Sequence, residues 1–438
     1  MTDRPALQEQ QRDGETVKPR SVLHRNRNFL LLWSGESISL LGSQISLVAL
    51  PSLAVLVFGA GAFGVAALVA LQWLPFIFLA PIMGVFTDRL RRKPLMQVAN
   101  VARMLILGSL PIAAALGGLT MAQLYSAAAL KGVFDVVFQL SYQALMPQLL
   151  DRADLAEGNA KTQLSVSVSQ VLGRSIGGGL VSAVGAARAV AGDALSYVAS
   201  IIGLAMIDKE RAAPAASGRG IKATLADLRG GAKLTFGNRL LRSLMLMATF
   251  GNMAVSLTLA MIVVFAYRNL HFNGAQLGLA LGLGSASIIL GAMFSRKINA
   301  RLGMGRTLIL THTLLGLAFL LLPAATSGGK GFAFAVIVVS QCISSFTSPI
   351  ANVGIMTLIQ KTTPPQAMGR VGGVSLPFVW GANAVGPLLG SAIAAAFADT
   401  AVVFFVAAGL AWTAVLWIFV GSVQKITDEV PEELRLQL

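Results

Sequence analysis

The chain has 438 residues, 55% of them hydrophobic and 12% charged, and a mean hydropathy of +0.72, which excludes an ordinary soluble globular protein. The net charge of +15 would suit nucleic acid, but the basic residues fall in short gaps between long apolar runs, so membrane topology explains them and no nucleic-acid partner is expected. A lone cysteine, Cys342, and three scattered histidines, His24, His271 and His312, leave no disulfide framework and no expected metal site.

Residues 1–28 are polar, and the first apolar run is too long for the apolar region of a signal peptide, so no cleavable signal is expected. Twelve runs follow, which predicts an all-α membrane protein of twelve transmembrane helices. The first six are Phe29–Phe58, Ala62–Phe86, Leu95–Leu116, Met121–Met146, Leu164–Gly185 and Ala189–Ile207. The last six are Leu241–Tyr267, Ala275–Phe294, Thr307–Ala325, Gly331–Ile359, Val371–Phe397 and Ala401–Val423. The expected domains are a tail over 1–28, a six-helix bundle over 29–207, a linker over 208–240, a second bundle over 241–423 and a tail over 424–438. In the linker, Ile221, Leu225, Leu228, Ala232 and Phe236 recur at helical spacing opposite Lys222, Arg229 and Lys233. That pattern predicts an amphipathic surface helix, although Gly230-Gly231 interrupts it and leaves a flexible linker as the alternative.

Of the 34 Lys and Arg, 28 lie in the tails, the linker, the turns after runs 2, 4, 8 and 10 and, as Arg242, at the adjoining start of run 7. Both termini are therefore expected in the cytoplasm. The densest of these turns is Gly84-Val-Phe-Thr-Asp88-Arg89-Leu-Arg91-Arg92-Lys93. Gly84 lets another helix come close, and Asp88 can face a helix N-terminus or pair with Arg92 one turn away. Arg89, Arg91 and Lys93 hold the turn at the inner surface.

The halves look related: Gly173-Arg174-Ser-Ile-Gly177-Gly178 in run 5 corresponds to Gly386-Pro387-Leu-Leu-Gly390-Ser391 in run 11. The turn after run 8, with Gly291, Arg296, Lys297, Arg301 and Arg306, is a degraded echo of 84–93. Two pseudo-symmetric six-helix bundles joined by a linker are the layout of a transporter with its site between bundles.

On these residues the chain resembles the major facilitator superfamily, with 84–93 in the place of that family's signature between helices 2 and 3. Asn28-Phe29-Leu-Leu-Leu-Trp33-Ser-Gly35, Asp88-Arg89-x-x-Arg92-Lys93, Asp193-Ala-Leu-Ser-Tyr197 and Gly369-Arg370-Val371 resemble its drug-efflux branch, which includes macrolide and siderophore exporters. The resemblance covers about residues 25–423. It implies a non-enzymatic secondary transporter, in which Gly84, Asp88, Arg89, Arg92 and Lys93 gate the cytoplasmic side. The sequence departs from the family pattern at Arg91, where glycine is usual, and at Asn100, where many relatives have an acid before a span-3 arginine. It also has Gly173-Arg174 where Gly-Pro is common.

No Gly-x-x-x-x-Gly-Lys-[Ser/Thr] is present, which argues against an ATP-driven pump, and no cofactor is expected. Ion coupling then needs an ionisable group inside the membrane. From Leu228 to Ala398 there is no Asp or Glu, so carboxylate coupling must lie in the first half, at Glu36, Asp135 or Asp193. Asp135 sits mid-run, where a charge costs roughly 2.5–3.5 kcal/mol unless compensated. Lys131 is one turn away and Arg174 lies at similar depth, giving either a proton-sensitive cluster or a permanent structural pair. Glu36 begins a polar stripe with Ser37, Ser39, Ser43 and Gln44; it is either a proton or cation site or a side chain reaching the inner surface. Arg103 is its expected cross-helix partner. Asp193 is expected at the surface or at a helix start.

Trp73, Phe76, Phe134, Phe138, Tyr142, Phe378 and Trp380 are candidates to line a drug cavity, or else they pack and face lipid. The expectation is proton-coupled export of small amphiphilic substrates by a monomer embedded in the lipid bilayer, through alternating access. The alternatives are a dedicated metabolite or siderophore exporter, a facilitator, or a non-transporting sensor or scaffold, against which the short tails argue.

Overall fold

A computed structural model describes residues 22–80, 91–151, 154–208 and 221–426. Twelve long helices carry the architecture, with one shorter helix between the halves. In the first half they are α1 (Arg27–Phe58), α2 (Ala62–Phe78), α3 (Arg92–Ala115), α4 (Met121–Leu149), α5 (Leu155–Val184) and α6 (Ala186–Met206). Helix α7 (Ile221–Gly237) follows, then α8 (Arg239–Arg268), α9 (Gly274–Leu302), α10 (Met304–Leu321), α11 (Lys330–Thr362), α12 (Pro365–Phe397) and α13 (Val402–Val420). Nine of these are long and apolar enough to cross a membrane, among the described residues. Helix α2 is described only over 17 residues. The other two, α4 and α5, fall short because Lys131, Asp135, Glu157, Lys161 and Arg174 dilute their apolar content.

The basic turns gather at the end of the bundle where α1 begins and α13 stops, here called the basic end. Two boundaries differ from the sequence reading. Helix α5 starts at Leu155, well before the apolar run, because polar residues continue a helix past its apolar segment. The basic stretch after run 8 is helical to Leu302, and the chain reverses at Gly303, whose φ of 78° a side chain would resist. Helix α9 breaks at Ala286, where the Ser285 and Ser287 hydroxyls donate to the carbonyls of Leu281 and Gly284.

Helix α7 runs unbroken through Gly230-Gly231. A Cβ on Gly231 would stand 2.2 Å from the Arg370 carbonyl oxygen, so the glycine seats α7 directly on α12. Phe236 closes that contact edge-on against Phe378, at 5.8 Å between ring centroids, while Arg229 and Lys233 are exposed.

The internal repeat has a packing counterpart. Gly173 and Gly177 of α5 press against Leu41, Gln44 and Ile45 of α1, while Gly386 and Gly390 of α12 press against Met253, Ser256 and Leu257 of α8. The halves meet through α5 on α9 and α2 on α12. At the first seam a Cβ on Gly178 would lie 2.3 Å from the Gly274 carbonyl oxygen and 2.5 Å from the Gly278 Cα. No side chain fits there, and the backbones touch.

Away from the basic end, one continuous apolar core runs through both halves, from Leu53 and Leu68 to Phe265, Leu277 and Phe404. Towards the basic end the core divides. Phe29, Met96 and Leu145 belong to a cluster in the first half, and Leu244, Leu308 and Ile418 to another in the second. Hydrogen bonds between described residues join the halves at four places. Ser52 and Tyr267 share one of 2.7 Å, and Arg268 Nη2 donates to the Gly59 carbonyl at 2.5 Å. The Ala275 amide donates to Ser182 Oγ at 2.7 Å, and Arg174 Nη1 to Ser285 Oγ at 2.8 Å. All four lie at mid-depth or beyond it, away from the basic end.

Candidate functional site

The polar heart of the first half is assembled from four helices. Asp135 on α4 takes one cation on each carboxylate oxygen: Arg103 Nη1 donates to Oδ1 at 3.1 Å and Lys131 Nζ to Oδ2 at 2.8 Å. Lys131 is there because four residues make one helical turn. Arg103 arrives from α3, its guanidinium carbon 4.1 Å from the Phe138 ring centroid and 4.7 Å from that of Tyr197. Two aromatic faces and a carboxylate thus compensate a cation that is nearly wholly buried.

From this ion triad a chain of hydrogen bonds leads to Glu36. Arg103 Nη2 donates to Asn100 Oδ1, Asn100 Nδ2 to Ser200 Oγ at 2.8 Å, and the Ser200 hydroxyl to Glu36 Oε2 at 3.4 Å. The expected direct Arg103–Glu36 pair is thereby corrected: Asn100 and Ser200 stand between them. Glu36 is bonded into the bundle rather than turned to the surface.

Arg174 does not join the cluster. Helix α5 packs on α1 and α9 rather than on α4, so the guanidinium enters that seam, Nε donating to Gln44 Oε1 at 3.1 Å and Nη1 to Ser285. It forms no ion pair among the described residues. Asp193 is not at the surface either. It lies two turns inside α6 at 0% exposure, with Ser196 Oγ 3.5 Å from Oδ1 and no hydrogen bond to Oδ2 among the described residues. The sequence did contain its signal: Asp193, Ser196, Tyr197 and Ser200 repeat at three- and four-residue steps, one polar stripe on an apolar helix. Asn100, three residues before Arg103, belongs to the same kind of pattern.

Of the signature turn, Gly84, Asp88 and Arg89 lie outside the described residues. Arg92 opens α3 and is buried, and Lys93 Nζ donates to the last carbonyls of α6, at 2.6 Å to Ile207 and 3.2 Å to Ala205. A cation on the carbonyl end of a helix is favourable on dipole grounds.

The second half holds a cavity of about 450 Å³. It runs from the basic-end residues Leu241, Ile359 and Val371 to Val255, Leu315 and Val379 at mid-helix. Its polar groups are amides and hydroxyls, among them Asn252, Thr347 and Asn352, together with His312. None of the expected cavity aromatics lines it. Phe134, Phe138 and Tyr142 pack in the first-half core, and Trp73, Phe76 and Trp380 form an aromatic cluster across the α2–α12 seam, with Phe76 5.1 Å from Trp380. Spacing alone could not tell packing from lining.

Two six-helix halves joined at one end and, among the described residues, with separate cores at the other, and with polar groups buried between apolar walls, define a secondary-transporter fold. The model of the Major Facilitator Superfamily matches residues 32–382, and the chain belongs to that superfamily, a family of transporters rather than enzymes. It is 24% identical over 365 residues to the multidrug efflux pump Tap of Mycolicibacterium fortuitum, spanning 81% of this chain and 86% of Tap. It is also 24% identical over 369 residues to the uncharacterized MFS-type transporter YkuC of Bacillus subtilis (strain 168), spanning 82% and 83%. A mutant of the nucleoside transporter NupG superposes with a TM-score of 0.74 at 13% identity, over 90% of this chain and 99% of that one. A bacterial homologue of the iron transporter ferroportin in its inward-facing state gives 0.69 at 18%, over 92% and 100%. At such identities the structural likeness establishes the fold alone.

Proposed function

We propose that the protein exports small amphiphilic compounds from the bacterial cytoplasm by proton antiport, its two halves rocking about the central site, and that it belongs with the drug-efflux branch of the superfamily. The observation that carries this is the contrast inside the membrane. Glu36 and Asp135 are linked through buried side chains in the first half, whereas the second half offers a neutral, largely apolar cavity. A carboxylate held between Arg103 and Lys131 can exchange its ion pairs for a proton when the halves move, which couples proton flow to rocking. The relationship to Tap supports efflux. With the basic end in the cytoplasm the described state is inward-open. Gly84, Asp88, Arg89, Arg92 and Lys93 keep their proposed role as the cytoplasmic gate, and the tails and the 208–240 linker their cytoplasmic place.

Purified protein in proteoliposomes tests the reading. An imposed pH gradient should drive amphiphile flux, and its collapse should stop it; gradient-independent flux would reduce the protein to a facilitator, and no flux would remove transport. Orientation is checked with Cys342→Ser carrying a single cysteine at Ser217 or Ser327. An impermeant thiol reagent added to intact cells should label position 327 and spare 217, and labelling of 217 would invert the topology.

A further inference from the structure

The cavity of the second half contains one ionisable side chain, His312. No Asp or Glu occurs between residues 228 and 398, and the Lys and Arg of α8 to α12 lie near helix ends. The wall is therefore without formal charge, and the chemistry of recognition falls to the imidazole, the amides and the hydroxyls.

His312 sits in the third turn of α10 and is 5% exposed. Its Nδ1 lies 3.0 Å from the Leu308 carbonyl one turn earlier. A carbonyl only accepts, so Nδ1 carries the proton and Nε2 of the neutral ring keeps its lone pair. The Thr311 hydroxyl, 3.5 Å from Nδ1, donates to the same carbonyl at 3.1 Å and leaves this assignment intact. No hydrogen bond reaches Nε2 among the described residues. The helix facing it contributes Gly251, where even a methyl group would stand 3.1 Å from Nε2. Nearby on α11, the Ser344 hydroxyl is buried and has no partner either. Buried polar groups are nearly always satisfied, so a buried hydroxyl without a partner among the described residues, beside a ring nitrogen with none on the same cavity, marks a place where a ligand completes the set.

We propose that His312 Nε2 is the hydrogen-bond acceptor of a substrate subsite in the C-terminal half, on the transport path proposed above. It takes an uncharged N–H or O–H donor mounted on an apolar body. Aliphatic ammonium groups and carboxylates are disfavoured, since the wall holds no opposite charge to offset their desolvation. Leu244, Val255 and Leu315 receive the apolar body.

The experiment compares two delocalised aromatic cations bound to the full-length protein in nanodiscs: ethidium, which carries two aromatic N–H₂ donors, and tetraphenylphosphonium, which carries none. His312→Asn retains an amide donor for the Leu308 carbonyl but, being shorter, places no acceptor at the Nε2 position. It should weaken ethidium about tenfold and tetraphenylphosphonium less than about twofold. His312→Gln, whose amide oxygen reaches the Nε2 position, should restore ethidium to within about threefold of wild type. Gly251→Ala keeps the imidazole but presses a methyl group against Nε2, shifting the ring by a few tenths of an ångström, so it should show the same selective loss even if the Asn variant folds poorly. Equal loss for both probes would make His312 a packing residue and overturn the subsite, as would unchanged ethidium binding. Selective loss in a protein that moves neither probe across proteoliposomes would keep the subsite and sink the transport reading. Failure of the wild type to bind either probe would sink both.

Discussion

The two halves of this transporter share a scaffold and differ in what they bury. In both, the fifth helix lies on the first through paired glycines, Gly173 and Gly177 in one and Gly386 and Gly390 in the other. Yet the first half buries Arg103, Lys131 and Asp193 and holds Glu36 and Asp135 half-buried, while the membrane helices of the second bury no carboxylate and one imidazole. A buried charge is tolerable only when compensated, and compensation is easiest when the charges are gathered. Concentrating them in one half leaves the other free to present a neutral wall, so that on the reading proposed here coupling and recognition fall to different halves.

The sharpest way to break this division is Asp135→Asn. Uphill, pH-driven flux should fall by about 100-fold or more, with downhill exchange preserved, in proteoliposomes. Removing one partner of a buried pair also leaves an uncompensated charge, at a typical cost of about 3–5 kcal/mol. The Lys131→Met, Asp135→Asn double variant should therefore recover part of the stability, with Arg103 still lacking its carboxylate, but not uphill transport. Normal uphill transport by the double variant would make the pair a purely structural one.

The seam between the halves is tested next. Gly178→Val places side-chain atoms where the Gly274 and Gly278 backbones now lie. Overpacking of about 1–3 kcal/mol should force the end opposite the basic turns open, lengthening spin-label distances across it. Unchanged distances would mean that the glycine contact does not govern closure.

A smaller effect should separate local propensity from packing in the C-terminal half. Alanine is favoured over glycine in a helix by about 1 kcal/mol, so propensity alone predicts that Gly231→Ala stabilises α7. The contact with the Arg370 carbonyl predicts the reverse, a lower thermal unfolding midpoint and looser attachment of α7. A raised midpoint would show that α7 can shift off α12 at little cost. Smallest of all, Tyr267→Phe should remove the bond to Ser52 between the halves, worth about 1 kcal/mol, and modestly enrich the conformer open at that end.

Much of the fold was legible before any coordinates. A helix stands on each of the twelve apolar runs as far as the described residues extend, and the repeated glycine pattern survives in their packing. Lys131 with Asp135 was legible too, since both lie on one helix, where a fixed rise and rotation set the separation. Partners on different helices were not: Arg103 reaches Asp135 and only indirectly Glu36, and Arg174 turns into the α1–α9 seam.

What the sequence determined by itself is what depends on composition and local period: a membrane protein of two related halves, with the carboxylates inside apolar runs confined to the first. What only the tertiary structure decided is which helix stands beside which, and how each is rotated about its axis. That rotation buries Asp193, sets the Gly231 backbone on α12, carries the expected aromatics into cores and seams, and turns His312 towards a cavity. A helix offers every side chain a direction, but its neighbours are chosen by packing along the whole length of the bundle, and no spacing along one strand of sequence encodes that choice.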